Sequence, residues 1–116
     1  MEISKVTLQD GSDALKVVGK IKTYKVFLEF KQEIEFYLKA YKNKEKEGKY
    51  SFNGEIFRIY FVRAYPLNSY TLGFLCKLLI EDKVRVEIIV DTLRMFAFFE
   101  EVDLVNLFEV KIREED

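Results

Sequence analysis

Short runs of β-branched and aromatic residues, each bounded by turn-forming residues, recur along the whole chain and tie it to folds built on a sheet. The turns are Gly11-Ser12-Asp13, Gly48, Asn53-Gly54, Tyr65-Pro66-Leu67-Asn68 and Glu81-Asp82-Lys83. Glu2 to Leu8 reads as a first strand, and a long second run begins near Leu15. Farther on, Val26, Leu28 and Phe30 alternate with Lys25, Phe27 and Glu29, which is the period of a strand with one face covered. Ile56 to Val62, Val84 to Val90, and Phe108, Val110 and Ile112 repeat the pattern. The expected fold is therefore all-β, with roughly six to eight strands in an antiparallel barrel and one short helix. An α+β arrangement of an antiparallel sheet with one or two helices is the alternative.

Two segments carry both periods. Phe30, Ile34, Tyr37, Leu38 and Tyr41 recur at helical spacing, while Ile34, Phe36, Leu38 and Ala40 alternate as a strand does. Asn68 or Ser69 is placed to cap a helix from Tyr70 to Ile80, although the same apolar run serves equally as a buried strand.

Composition removes most chemistry. The chain has 116 residues, no histidine, one cysteine and no phosphate-binding glycine loop. An enzyme is not expected, and neither a catalytic, a cofactor nor a metal site is assigned. Glu100, Glu101 and Asp103 are the one acidic group with the oxygens for a divalent cation, but charge clusters ordinarily face water and the group reads as a turn. Cys76 lies within the apolar run Leu72 to Ile80 and reads as a small buried hydrophobe.

Nineteen basic against twenty acidic residues leave a net charge of -1, which gives no global pull toward nucleic acid or membrane. No apolar stretch reaches the roughly 18 residues of a spanning helix, so the expectation is a single domain over 1–116, cytoplasmic and free of membranes. Abundant lysine, glutamate, isoleucine, phenylalanine and tyrosine with no tryptophan is a bias compatible with a thermophilic source and equally with a low-GC genome.

Binding features remain. Lys39, Lys42, Lys44, Lys46 and Lys49 surround Tyr37, Tyr41 and Tyr50, the ingredients of a stacking groove for single-stranded nucleic acid, though Glu45 and Glu47 dilute the charge. Tyr65, Tyr70 and Phe74 flank the Pro66 turn, where aromatic side chains either close the core or anchor a partner. Leu93-Arg94-Met95-Phe96-Ala97-Phe98-Phe99, taken as a strand, is apolar on both faces. Arg94, Phe96, Phe98, Tyr65, Tyr70 and Phe74 are accordingly the candidate partner-binding residues.

Several of these runs resemble, in order, the small OB-like subunit shared by archaeal and eukaryotic nuclear RNA polymerases. Tyr24 to Phe30 followed by Glu33 to Tyr37 is similar to that family's early strand pair, and Asn53-Gly54-Glu55-Ile56-Phe57-Arg58-Ile59-Tyr60 to its central segment. Val90 to Met95 and Val102 to Phe108 look like its closing hairpin, with Asp91-Thr92 where the family usually has a glycine pair. The segment from Arg63 to Lys83 has no counterpart. The resemblance implies an OB-fold β-barrel, strands rather than helix over Ile34 to Ala40, and a noncatalytic assembly subunit of an archaeal-type polymerase docked on the large subunit. A small viral or host regulator that binds another protein, to which the acidic end Arg113-Glu114-Glu115-Asp116 lends charge mimicry, and an OB-like single-strand binder are the other readings.

Overall fold

The structure, a computed structural model, describes residues 1–46 and 56–113, with side chains described in 1–39 and 56–113. Strands β1 (Glu2–Thr7) and β2 (Asp13–Val18) lead into helix α1 (Tyr24–Lys46). Then come β3 (Phe57–Val62), α2 (Ser69–Ile80), β4 (Val86–Val90), α3 (Leu93–Glu101), the single turn α4 (Val105–Phe108) and β5 (Val110–Ile112). The five strands lie side by side in chain order. β1 and β2 form an antiparallel hairpin, and β2 to β5 pair in parallel.

This is a mixed α/β fold, and it corrects the expected OB-like antiparallel barrel as well as the antiparallel α+β alternative. The difference lies in three segments, of which Tyr24 to Phe30 and Leu93 to Phe99 read as strands and 69–80 is open between strand and helix. Val26, Leu28 and Phe30 alternate by accident; the buried residues of α1 are Phe27, Phe30, Ile34 and Leu38, spaced three, four and four apart along one helical stripe. Leu93 to Phe99 is apolar on both faces of a notional strand because it is a helix, with Met95 and Phe99 buried one turn apart and Phe96 and Phe98 half-buried on the flanks. Residues 69–80 are helical, with Asn68 as the cap. All three leave the sheet as crossovers, so the strands on either side of each run parallel.

Sequential order with crossovers of one hand places every helix on the same face. On that face Leu15, Val17, Ile59, Phe61, Ile88 and Val90 pack under Phe30, Ile34, Leu75, Leu78, Met95, Phe99 and Phe108 in one cluster. β4, buried along its whole length, reads as an unbroken apolar run except for Glu87. The opposite face has a small cluster of Tyr60, Val62 and Ile89 with Leu8 and Val18 against it. There Glu87, 4% exposed, sits between Arg58 at 3.6 Å and Lys111 at 3.5 Å. A buried carboxylate held by two cations keeps its charge compensated.

No helix among the described residues is long and apolar enough to cross a membrane.

Candidate functional site

In a parallel sheet the carboxyl ends of the strands and the amino ends of the following helices meet on one edge of the molecule, and side chains of the connecting loops converge there. Three loops do so here. Thr23, Asn68 and Thr92 each cap the helix that follows: the Val26 N–H donates to Thr23 Oγ1 at 3.1 Å, the Thr71 N–H to Asn68 Oδ1 at 2.9 Å and the Met95 N–H to Thr92 Oγ1 at 3.1 Å. Asn68 does more than cap. Its Nδ2 donates to the Ile21 carbonyl at 2.9 Å, and Oδ1 also accepts from the fully buried Thr71 hydroxyl at 2.8 Å. This side chain therefore clamps the loop after β3 to the loop after β2.

The neighbouring turns are set with similar economy. At φ +103, Gly19 takes the left-handed region that a side chain disfavours, and a Cβ there would lie 3.3 Å from the Met1 Cα. The Gly19 N–H donates to the Val62 carbonyl at 2.9 Å, which ties the start of the loop that carries Lys20 to the end of β3. Arg63 is a non-glycine residue at φ 50, held there as its N–H donates to Asp91 Oδ2 at 2.9 Å.

Between these loops lies an open groove. One cavity of about 360 Å³ is lined by Lys20, Arg63, Tyr65, Pro66, Asp91, Thr92 and Arg94. A second of about 280 Å³ adjoins it through Lys20 and Pro66 and adds Lys22 and Asn68. The Arg94 guanidinium lies 4.1 Å over the Tyr65 ring, which in turn meets Phe98 edge-on at 5.7 Å. Stacked this way, a guanidinium keeps its planar fork of donors directed to the groove. Lys20, Lys22, Arg63 and Arg94 have no carboxylate partner among the described residues. Asp91, the one carboxylate in the lining, spends an oxygen on the Arg63 backbone. Four unpaired cations in one concavity make a receptor for negative charge.

The rim is apolar and exposed. Tyr24 and Tyr70, both about half exposed, meet at 4.9 Å across the starts of α1 and α2 and rest on Phe27. Leu93, at the start of α3, is 70% exposed.

The six side chains named from the sequence fall into three groups. Arg94 and Tyr65 are brought together in the groove wall with Phe98 packed against Tyr65 from the core side, and Tyr70 stands on the rim. Phe74 is buried between Phe27 and Phe30, and Phe96 packs half-buried against the core, so neither reaches the groove. Sequence reading missed Lys20, Lys22, Tyr24, Arg63 and Leu93. The signal was local: a glycine followed by two lysines before Thr23, and Asp91-Thr92 before an amphipathic stretch, are both helix starts.

Elsewhere, Glu100, Glu101 and Asp103 lie exposed at the end of α3, and no group of three ligating side chains among the described residues is placed to hold a metal ion. Cys76 is half-buried on α2, and burial raises its thiol pKa above the ordinary value. In the lysine and tyrosine cluster, Tyr37 and Lys39 lie on α1; Lys49 and Tyr50, like Asn53-Gly54-Glu55 and the acidic end 114–116, lie outside the described residues, as do the side chains of Tyr41, Lys42, Lys44 and Lys46.

Comparison of the chain with protein-family models, with curated proteins and with solved structures returns no match.

Proposed function

We propose that this chain is a noncatalytic protein-binding domain whose groove, at the carboxyl edge of the parallel sheet, receives an acidic segment of a partner protein. One observation carries the reading: four cations without carboxylate partners line a concave surface whose rim is exposed tyrosine and leucine. Arginine and tyrosine are the side chains that most often dominate protein interfaces, because each contributes large contact area together with a donor. In a protein of net charge -1 such a local positive field is a matter of placement, and it orients an acidic partner before contact.

An assembly subunit of a larger enzyme, the archaeal-type RNA polymerase included, and a regulator that occupies another protein's surface are both instances of this class. The polymerase instance has lost its barrel, since much of what suggested it is helical: 24–37 lies in α1, 93–95 in α3 and 105–108 in α4. The groove wall itself offers no open stacking platform for single-stranded nucleic acid, because its one ring, Tyr65, lies under Arg94 and against Phe98.

The test is a comparison of partners captured at moderate salt by the wild-type protein, by R63E/R94E and by K39E, whose lysine lies on α1 away from the groove. A stoichiometric partner retained by wild type and K39E but lost from R63E/R94E supports the reading. Equal retention by all three places the interface elsewhere and contradicts it.

A further inference from the structure

The groove lies at one end of a molecule whose opposite end is acidic. α2 and α3 start at the groove, and both finish at the far end. At their finishes stand Ile80, 55% exposed, followed by Glu81, and the exposed Val102, preceded by Glu100 and Glu101 and followed by Asp103. None of these four carboxylates has a cation partner among the described residues, whereas Asp82 is paired with Lys77 and Glu109 with Arg85. Glu100 and Glu101 occupy the last turn of a helix, where the backbone dipole disfavours negative charge. Among the described residues the two ends thus carry an excess of opposite charge, with Lys83, in the same turn as Glu81, offsetting part of it at the acidic end. Each sets exposed apolar side chains among it: Tyr24, Tyr70 and Leu93 at the basic end, Ile80 and Val102 at the acidic one.

We infer that the occupant of the groove is the acidic end of a second copy of this chain, so that copies associate head to tail. The inference rests on the groove being a receptor for acidic protein segments. In the contact, Glu100 and Glu101 of one copy meet Arg63 and Arg94 of the next, while Val102 and Ile80 cover part of the aromatic rim. Such a contact is heterologous: it uses two different surfaces, leaves one of each free, and extends into a chain or closes into a ring. It also removes charge strain at both ends at once, something an isologous pairing of two basic ends does not do. Because the pairs are close to the surface, the association is salt-sensitive.

The experiment is sedimentation velocity over a concentration series at about 50 mM and about 500 mM salt, on wild type, R63E/R94E, E100K/E101K and an equimolar mixture of the two variants. The substitutions lie at exposed positions, and unchanged thermal unfolding verifies the fold. Head-to-tail association predicts a mass rising with concentration at low salt and falling to the 13.8 kDa monomer at high salt. Each variant alone stays monomeric, and the mixture, in which charges are exchanged across the contact, regains at least the dimer. Wild type that remains monomeric at low salt while a glutamate-rich peptide binds it, and fails to bind R63E/R94E, overturns the second copy as occupant and leaves the groove reading intact. Absence of both overturns both.

Discussion

Asn68→Ala is the substitution through which the groove and the fold are most directly linked. The Asn68 side chain satisfies three groups at once: the Thr71 N–H, the Thr71 hydroxyl and the Ile21 carbonyl, with Thr71 at 0% and Ile21 at 1% exposure. Loss of a helix cap costs about 1 kcal/mol, and leaving a buried hydroxyl and a buried carbonyl without partners adds about 1–3 kcal/mol in total after some local relaxation. The expected destabilisation is about 2–4 kcal/mol, a large share of the roughly 5–15 kcal/mol that holds a domain of this kind together. With a urea slope near 2 kcal/mol/M, the midpoint of equilibrium unfolding moves down by about 1–2 M at unchanged slope. Thr71→Val separates the contributions. In the wild-type background it removes one good hydrogen bond and costs about 1 kcal/mol, but in the Asn68→Ala background it removes a stranded hydroxyl and costs little or is stabilising, so the cycle gives a coupling of about 1 kcal/mol or more. A single-mutant cost below about 0.5 kcal/mol, within the range of an ordinary surface change, or a coupling near zero, refutes the clamp.

Other consequences follow from individual contacts. Tyr65→Leu removes the ring under Arg94 and weakens binding of an acidic peptide about two- to fivefold by isothermal titration calorimetry, the equivalent of about 0.5–1 kcal/mol, with unfolding little changed. Phe99→Ala, at 0% exposure in the main core, costs about 3–5 kcal/mol in chemical denaturation, whereas Phe36→Ala, at 68% exposure, stays within about 0.5 kcal/mol. Hydrogen bonds from the Ser12 hydroxyl and from its N–H hold the Asp10 carboxyl below its ordinary pKa. A depressed folded-state value contributes stability above the unfolded pKa, near 3.9, that is lost as pH falls through the folded value. Ser12→Ala therefore raises the Asp10 titration midpoint seen by carboxyl carbon NMR and makes unfolding less sensitive to pH below about 4.

How far the sequence could be read depended on which physical signal each segment carried. β1, β3 and β4 were legible because their turns and β-branched content agree; over 69–80 the Asn68 cap pointed to a helix, but the apolar run fitted a buried strand equally and left the segment open. α1 was ambiguous: Phe27 and Phe30 belong to the helical stripe, but Val26 and Leu28 lie half-buried or exposed beside it and complete a false alternation. Thr23, spaced as a cap before that stripe, was the deciding signal, and Thr92 played the same part before Leu93. Reading the two threonines as caps converts two strands into crossover helices, and parallel pairing follows. Arg94 is marked in the sequence by a strand reading that the helix replaces, and Tyr65 by its place beside the Pro66 turn, where the structure has it. Their meeting depends on the β3 and β4 loops arriving at one edge, a matter of topology. Lys20 and Arg63 were invisible for the same reason, since neither belongs to a motif and each matters only through the loop that stands beside it.

If the carboxyl-edge groove is the binding surface, residue-resolved NMR titration with a glutamate-rich peptide locates it. Saturable, salt-dependent shift changes are expected at Gly19, Lys20, Arg63, Thr92 and Arg94, with the Arg58 and Lys111 signals on the opposite sheet face undisturbed. Changes centred on that sheet face, or none at low salt, would contradict it.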